Sequence, residues 1–292
     1  MKKIVFRILL TVFVLAFAVS GFFVARQLLA TRRAASEFGE VSALMRDRVA
    51  AAEAVQRGQA AGRGEGGDAE AAGAPDADNA APAPGKAAPD TEAVAAGDPR
   101  LVAIRGLHEE YTDFVGWISI SGTVVDYPVM HTPRYPEFYL DRNFVREKSG
   151  HGTPFLDAKC DPLRPSDNMI IYAHHMKDGS MFACLEEYKD AAYCEAHSVI
   201  EFCTMQNAGR YEVIAAFLGS GDTSREGAFA YNQYIDFGDE GRFDEFIGEV
   251  MGRRLYDTGV EPRYGDRFLM LSTCEYSTAN NRMVVVAREI DD

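Results

Sequence analysis

A mainly β domain, built as a barrel or sandwich, is predicted from about residue 100 onward, behind an apolar N-terminal helix and a low-complexity linker. Three observations predict it. All 13 Tyr and the single Trp of the 292 residues lie after position 99. Short apolar runs bounded by Gly, Asn, Asp and Ser recur there, with few helical patterns between them. From Gly58 to Pro99 there is no Phe, Tyr, Trp, Leu, Ile or Met, and Val94 is the only large aliphatic residue. Such a stretch buries too little apolar surface to offset the entropy of ordering, so 58–99 reads as a disordered Ala/Gly/Pro-rich linker.

The chain opens with a short basic segment, 1–7, carrying Lys2, Lys3 and Arg7. The uncharged run Ile8–Ala25, "ILLTVFVLAFAVSGFFVA", follows. As a helix it spans about 27 Å, close to the hydrocarbon thickness of a bilayer. A cleaved signal peptide would have a shorter apolar region and a small-x-small site, which "RQLLATRRAAS" does not offer. The segment 8–25 therefore reads as an uncleaved membrane anchor. Over 26–57, Phe38, Val41, Leu44, Met45, Val49, Ala52 and Val55 recur near helical spacing. They predict a juxtamembrane helix that lies on a surface or self-associates. As a flexible coil, the linker after it reaches about 36 Å and would hold the following domain away from the membrane.

Charge is uneven. Residues 1–99 carry 11 basic and 12 acidic side chains, and the remainder 19 and 32, a net of −13. An acidic domain argues against nucleic acid, whose phosphates need a Lys/Arg surplus. There is no EF-hand-type acidic loop and no CxxC pair, so no metal and no cofactor is expected.

Within 100–292, "RLVAIRGLHEEYTDF" leads in as a helix. "GWISI" (Gly116–Ile120) and "TVVDYPV" (Thr123–Val129) are strands joined by a Ser121-Gly122 turn. Further strands begin at Asn168, Ser198 and Arg210, and the chain finishes with Arg267–Cys274 and Arg282–Glu289. "SMFACLEEYKDAAYCEAH" starts with a short helix. "DEGRFDEFIGEVMGRRLYD" is an amphipathic one, with Phe243, Phe246, Ile247, Val250 and Leu255 on one side.

Of the five cysteines, Cys203 falls inside a strand and reads as a small core residue. Cys184 and Cys194 are candidates to pair. Cys274 differs: it ends an apolar strand and enters a polar turn, and Arg282 opens the next strand. If those strands pair, a fixed positive charge returns beside a thiol, where it can orient a carbonyl and stabilise an oxyanion. The missing partner is a histidine. His174 ends the strand "NMIIYAH" and enters a Gly-containing loop.

"NMIIYAHHMKDGSMF" and "LSTCEYSTANNRMVVVA" together resemble the sortases, and specifically class B. "GWISISGTVVDYPVM" and "EFYLDRNF" resemble the opening strands of that family, so the likeness covers about Leu101–Ile290. One departure is Ala173, where the family usually has Gly. The resemblance implies a closed eight-stranded β-barrel with peripheral helices. It implies His174 as catalytic histidine, Cys274 as nucleophile and Arg282 as the catalytic arginine, with His175 at a variable position. Glu275 matches the place whose backbone N–H helps form an oxyanion hole. Ser272 and Thr273 match the strand end along which a peptide lies, and Leu140 matches a pocket residue.

The implied activity is transpeptidation by a membrane-anchored enzyme with its N-terminus inside and its catalytic domain outside. A C-terminal sorting motif of a surface protein is cleaved after Thr, a thioester forms, and a peptidoglycan amine, or a pilin lysine, resolves it. A non-catalytic tethered scaffold is the alternative of another class. "HGTP" at His151 matches the first half of an L,D-transpeptidase signature, but its Ser-His-Gly-Cys partner is absent. A papain-like order is excluded because the cysteine follows the histidine.

Overall fold

Among the described residues, eight strands close on one another. They are β1 (Phe114–Ile120), β2 (Asp126–Met130), β3 (Phe155–Leu156), β4 (Asn168–His174), β5 (Val199–Thr204), β6 (Ala208–Ser220), β7 (Phe268–Cys274) and β8 (Asn281–Glu289). The order around the barrel is β1-β2-β3-β4-β7-β8-β6-β5. The computed structural model describes residues 2–62, 97–221, 227–274 and 281–290, with 2–5, 8, 59–62, 274 and 281 as backbone. The eight-stranded barrel expected from the family resemblance is thus present. Seven of its strands coincide with the apolar runs of the sequence. The eighth, β3, has two residues, too few to show a period-2 signature.

Two neighbours in the barrel run parallel, β2 with β3 and β4 with β7. β4 and β7 are apolar on both faces, because side chains fill the barrel inside and helices and loops cover it outside. Met169, Ile170, Ile171, Leu269, Met270 and Leu271 are at most 1% exposed.

Among the described residues the α-helices are α1 (Lys2–Gly62), α2 (Pro99–Glu110), α3 (Ala191–Ala196) and α4 (Glu240–Arg253). α2 starts where Asp98 accepts a hydrogen bond from the Arg100 amide, with Pro99 in the first turn, and it buries Leu101, Ala103, Ile104 and Leu107. α4 is capped by Asp239 and buries Phe243, Phe246 and Val250. Phe246 stacks on Phe237 and Phe268, with ring centroids 5.0 and 5.6 Å away, so the helix is stitched to the barrel by aromatic rings. Leu255, expected on the same face, lies past the helix end and is 44% exposed; its amide donates to the Ala216 carbonyl.

α1 is one continuous helix of 61 residues, about 90 Å long. The segments read as anchor (8–25) and juxtamembrane helix (26–57) lie consecutively within it. By length and composition it can cross a membrane, and none of its apolar window is buried against the protein. Its later turns are different. Ala34, Phe38, Met45 and Ala52 are buried. Phe38 meets Tyr127 of β2 edge to face, centroids 5.1 Å apart. Most of the apolar stripe is therefore spent on the chain's own β-domain, with Val55 left exposed beyond it.

At the far end of α1, the Gln56 side-chain amide donates to the Gly97 carbonyl, so the chain leaves this helix and returns to it. Gly58–Gly62 are helical, Gly97 is in a turn and Asp98–Pro99 start α2; residues 63–96 of the expected linker lie outside the described residues. Spacing between the apolar run and the barrel is set by α1: from Ala25 to the first packed residue, Ala34, is about 14 Å of helix.

Phe38→Ala is expected to lower the unfolding free energy of the β-domain by about 3 kcal/mol. Denaturant titration of the full chain in detergent measures it. An unchanged midpoint would mean that α1 does not contribute to the fold.

Candidate active site

β4 and β7 run side by side in register, pairing Tyr172 with Ser272, Ala173 with Thr273 and His174 with Cys274. Paired residues on neighbouring strands share a face and lie about 4.8 Å apart in the hydrogen-bonding direction. The two strand ends read from the sequence as nucleophile and base are therefore adjacent. β8 runs back along β7, with Ser272 opposite Val284. That pairing ends at Ser272, and Arg282 lies two residues further along β8, opposite Gly219 of β6. Just below, the Met283 amide donates to Thr273 Oγ1 at 3.0 Å.

Three further groups shape this end of the barrel. The Arg282 guanidinium stands 5.9 Å from the centre of the Tyr172 ring. Tyr172 precedes His174 by two residues, and so shares its face. Burial keeps the Tyr172 phenol well above its usual range, so it stays neutral, and it donates to Asp157 at 3.0 Å. His174 Nε2 lies 2.6 Å from the Leu140 carbonyl, which only accepts; Nε2 therefore carries a proton. Asp141, next in the 3-10 turn Phe138–Asp141, is held below the ordinary carboxylate range chiefly by the hydrogen bond from Lys148, helped by the charges of Lys148 and Arg142.

The other residues singled out in the sequence fall as follows. Leu140 is half-buried at the rim and reaches His174 through its main chain. Ser272 and Thr273 are fully buried under the site. Ser272 is hydrogen-bonded to the Tyr231 hydroxyl at 2.9 Å, and Thr273 is engaged by Met283. His175 bridges to Met181 across its loop, with Nδ1 3.9 Å from Glu186. Glu275 lies outside the described residues. Tyr172 and Tyr231 were not picked out from the sequence. Only the alternation along β4 pointed to Tyr172, and nothing local pointed to Tyr231.

Cys160, Cys184, Cys194 and Cys203 are all free, so Cys184 and Cys194 do not pair. Burial pushes the thiols of Cys160 and Cys203 up to about 12 and about 11, and raises Cys184 and Cys194 as well. At neutral pH these four are poor sources of thiolate. Among the described residues no group of three or more His, Cys, Asp or Glu is placed to hold a metal ion.

Comparison with known proteins bears on this geometry. A family model described as the sortase domain matches residues 118–290. Over 182 residues the chain is 33% identical to sortase B of Staphylococcus aureus, covering 61% of this chain and 70% of that protein. It is 31% identical over 184 residues to sortase B of Listeria monocytogenes, covering 62% and 72%. Its fold matches a Staphylococcus aureus sortase B–substrate complex with a TM-score of 0.59, at 31% identity over 64% of this chain and 84% of that one. A structure of sortase B complexed with triglycine matches at the same TM-score, 0.59, with 30% identity over 64% and 85%. The chain belongs to the sortase family and is a cysteine transpeptidase of the class B type.

Proposed function

We propose that Cys274, His174 and Arg282 form the reactive centre of an enzyme that cleaves a C-terminal sorting motif after Thr and joins the protein to an amine of the cell wall. The observation that carries this reading is the in-register pairing of His174 with Cys274, supported by the Arg282 guanidinium over the ring of Tyr172, two residues before His174 on the same strand. The sulfur of Cys274 attacks the Thr carbonyl, and its thiol proton passes to His174. The tetrahedral oxyanion is met by the Arg282 guanidinium and, by the family pattern, by the backbone N–H of Glu275. Collapse breaks the C–N bond, His174 protonates the leaving amine, and a thioester remains. An incoming amine then attacks the thioester, gives its proton to His174 and releases Cys274.

The Leu140 carbonyl holds the Nε2 proton of His174, so proton exchange runs through Nδ1. The Tyr172 ring, itself neutral, faces the Arg282 guanidinium. Leu140 lies where it can border a peptide pocket. Ser272 and Thr273 would face a peptide through main-chain groups, since their hydroxyls are engaged internally. The complexes of related enzymes with a substrate and with triglycine support a peptide donor and an amine acceptor.

We further infer that residues 8–25 of α1 anchor the enzyme, with residues 1–7 inside and 100–292 outside. Lys2, Lys3 and Arg7 before the apolar run are matched by Arg26, Arg32 and Arg33 after it, so charge bias alone does not set the orientation; the extracytoplasmic substrate class of the family does.

Incubated with a panel of sorting peptides, the wild type should gain the mass of an acyl-enzyme, and Cys274→Ala should not. Cys160, Cys184, Cys194 and Cys203, changed singly to Ala, should still acylate. A thioester mapped to one of these four would refute the assignment. Capture of a lysine side chain in preference to a peptidoglycan amine would redirect the reading to pilin assembly.

Arg282→Lys keeps the charge but not the planar fork of donors. It should fold normally and still react with a small thiol reagent, yet lose about 10²-fold or more in peptide turnover. Turnover near the wild-type rate would reduce Arg282 to an electrostatic neighbour.

For topology, protease added to intact cells after wall removal should digest the β-domain and spare an N-terminal tag. Protection of the β-domain would reverse the proposed orientation.

A further inference from the structure

We propose that His151 and Gly152 are positioning residues for His174, one securing its main chain and the other its ring. The inference rests on the assignment of His174 made above. His151 is 6% exposed and belongs to the "HGTP" segment that the proposed chemistry leaves unused. Its Nε2 lies 2.7 Å from Asp178 Oδ2. A buried imidazole needs such a partner, because leaving it unmatched costs its desolvation in full.

Asp178 sits at the crest of the loop that leaves His174 and returns at Phe182. The Phe182 amide donates to the His174 carbonyl at 2.9 Å. His175 and Met181 bridge the loop. The second carboxylate oxygen of Asp178 receives the Ser180 amide at 3.0 Å and the Ser180 hydroxyl at 2.6 Å. Burial pushes the Asp178 carboxyl upward, but the hydrogen bonds from His151 and Ser180 more than reverse this and hold it at about 2. It is therefore anionic at neutral pH and a strong acceptor. Met181 closes the loop at φ 58, a left-handed conformation that a non-glycine residue keeps only under restraint. His151 supplies such a restraint from outside the loop. Thr31, Ala34 and Phe38 of α1 line the same cleft of about 420 Å³ as His151 and Asp178.

Gly152 acts at the other anchor. Its φ is +62, and a Cβ there would lie 2.5 Å from the Leu140 carbonyl oxygen and 2.7 Å from that of Tyr139. Only glycine lets this backbone lie against the carbonyl that receives the Nε2 proton of His174. The Thr153 amide donates to the Tyr139 carbonyl at 2.9 Å and closes the contact. One dipeptide thus backs both restraints on the imidazole: the loop that holds its main chain and the carbonyl that holds its ring.

The test uses the full chain in detergent, with active sites counted by titration of Cys274 with a small thiol reagent. His151→Ala and Gly152→Ala should each lower kcat per titrated site by about 10-fold or more, with KM within about twofold of wild type. In histidine-labelled protein the ¹⁵N resonance of His174 Nε2 should shift in both. His151→Gln, which keeps an N–H donor toward Asp178, should recover most of the turnover. A kcat per site equal to wild type, or a loss that only mirrors fewer titratable sites, overturns the proposal. Should His151→Ala fail to fold, Asp178→Ala cuts the same pair from its more exposed side and is read by the same two outcomes. His174→Ala is the control. Retained turnover there would refute the assignment of His174 itself, whereas an inactive His174→Ala beside a wild-type-like His151→Ala would refute only the positioning role.

Discussion

The parallel pairing of β4 with β7 is the constraint on which the site depends. The two strands are far apart in the chain, and parallel neighbours cannot be joined by a hairpin. The stretch 175–267 makes the return, carrying β5, β6 and α4 with it. Register is held by apolar side chains packed on both faces of both strands. A slip of one residue would turn Cys274 to the opposite face from His174 and set Thr273 beside the imidazole in its place. The chemistry of the strand ends is therefore secured by the oil-like middle of the strands, where no reactive group lies.

Directly beneath the reactive end is a layer of satisfied polar groups. Ser272 meets Tyr231, Tyr172 meets Asp157, and Thr273 accepts from Met283. These bonds lie in or at the margin of the protein interior, where a matched polar network stiffens its surroundings and an unmatched one is costly. A guanidinium resting on a neutral ring avoids a further cost.

Much of this was legible in the sequence, for identifiable reasons. His174, Cys274 and Arg282 stand where apolar runs meet polar turns, so side-chain chemistry and strand ends coincide. The amphipathic face of α4 was readable up to its last turn, where Leu255 follows the break after Arg254 and leaves the face. β3 was not readable, because two residues carry no period. The stripe on α1 announced a helix but not its partner, since an apolar face fits a membrane, a second copy or the chain's own β-domain equally well. The hold of Leu140 on His174 runs through a carbonyl, which every residue type possesses, and so it has no compositional trace. Ser272 and Thr273 enter the site reading through the family resemblance, which gives a position along the strand and not the direction of a side chain; here both hydroxyls are engaged inside the protein.

The continuity of α1 has a consequence for rotation as well as distance. Phe38 packs on Tyr127, and Ala34, Met45 and Ala52 are buried with it. The stretch of helix from Ala25 to Ala34 therefore fixes how the apolar run is turned relative to the β-domain. A single residue inserted there would swing the domain by about 100° around the helix axis. These few residues are ordinary in composition, yet their number is what the packing constrains.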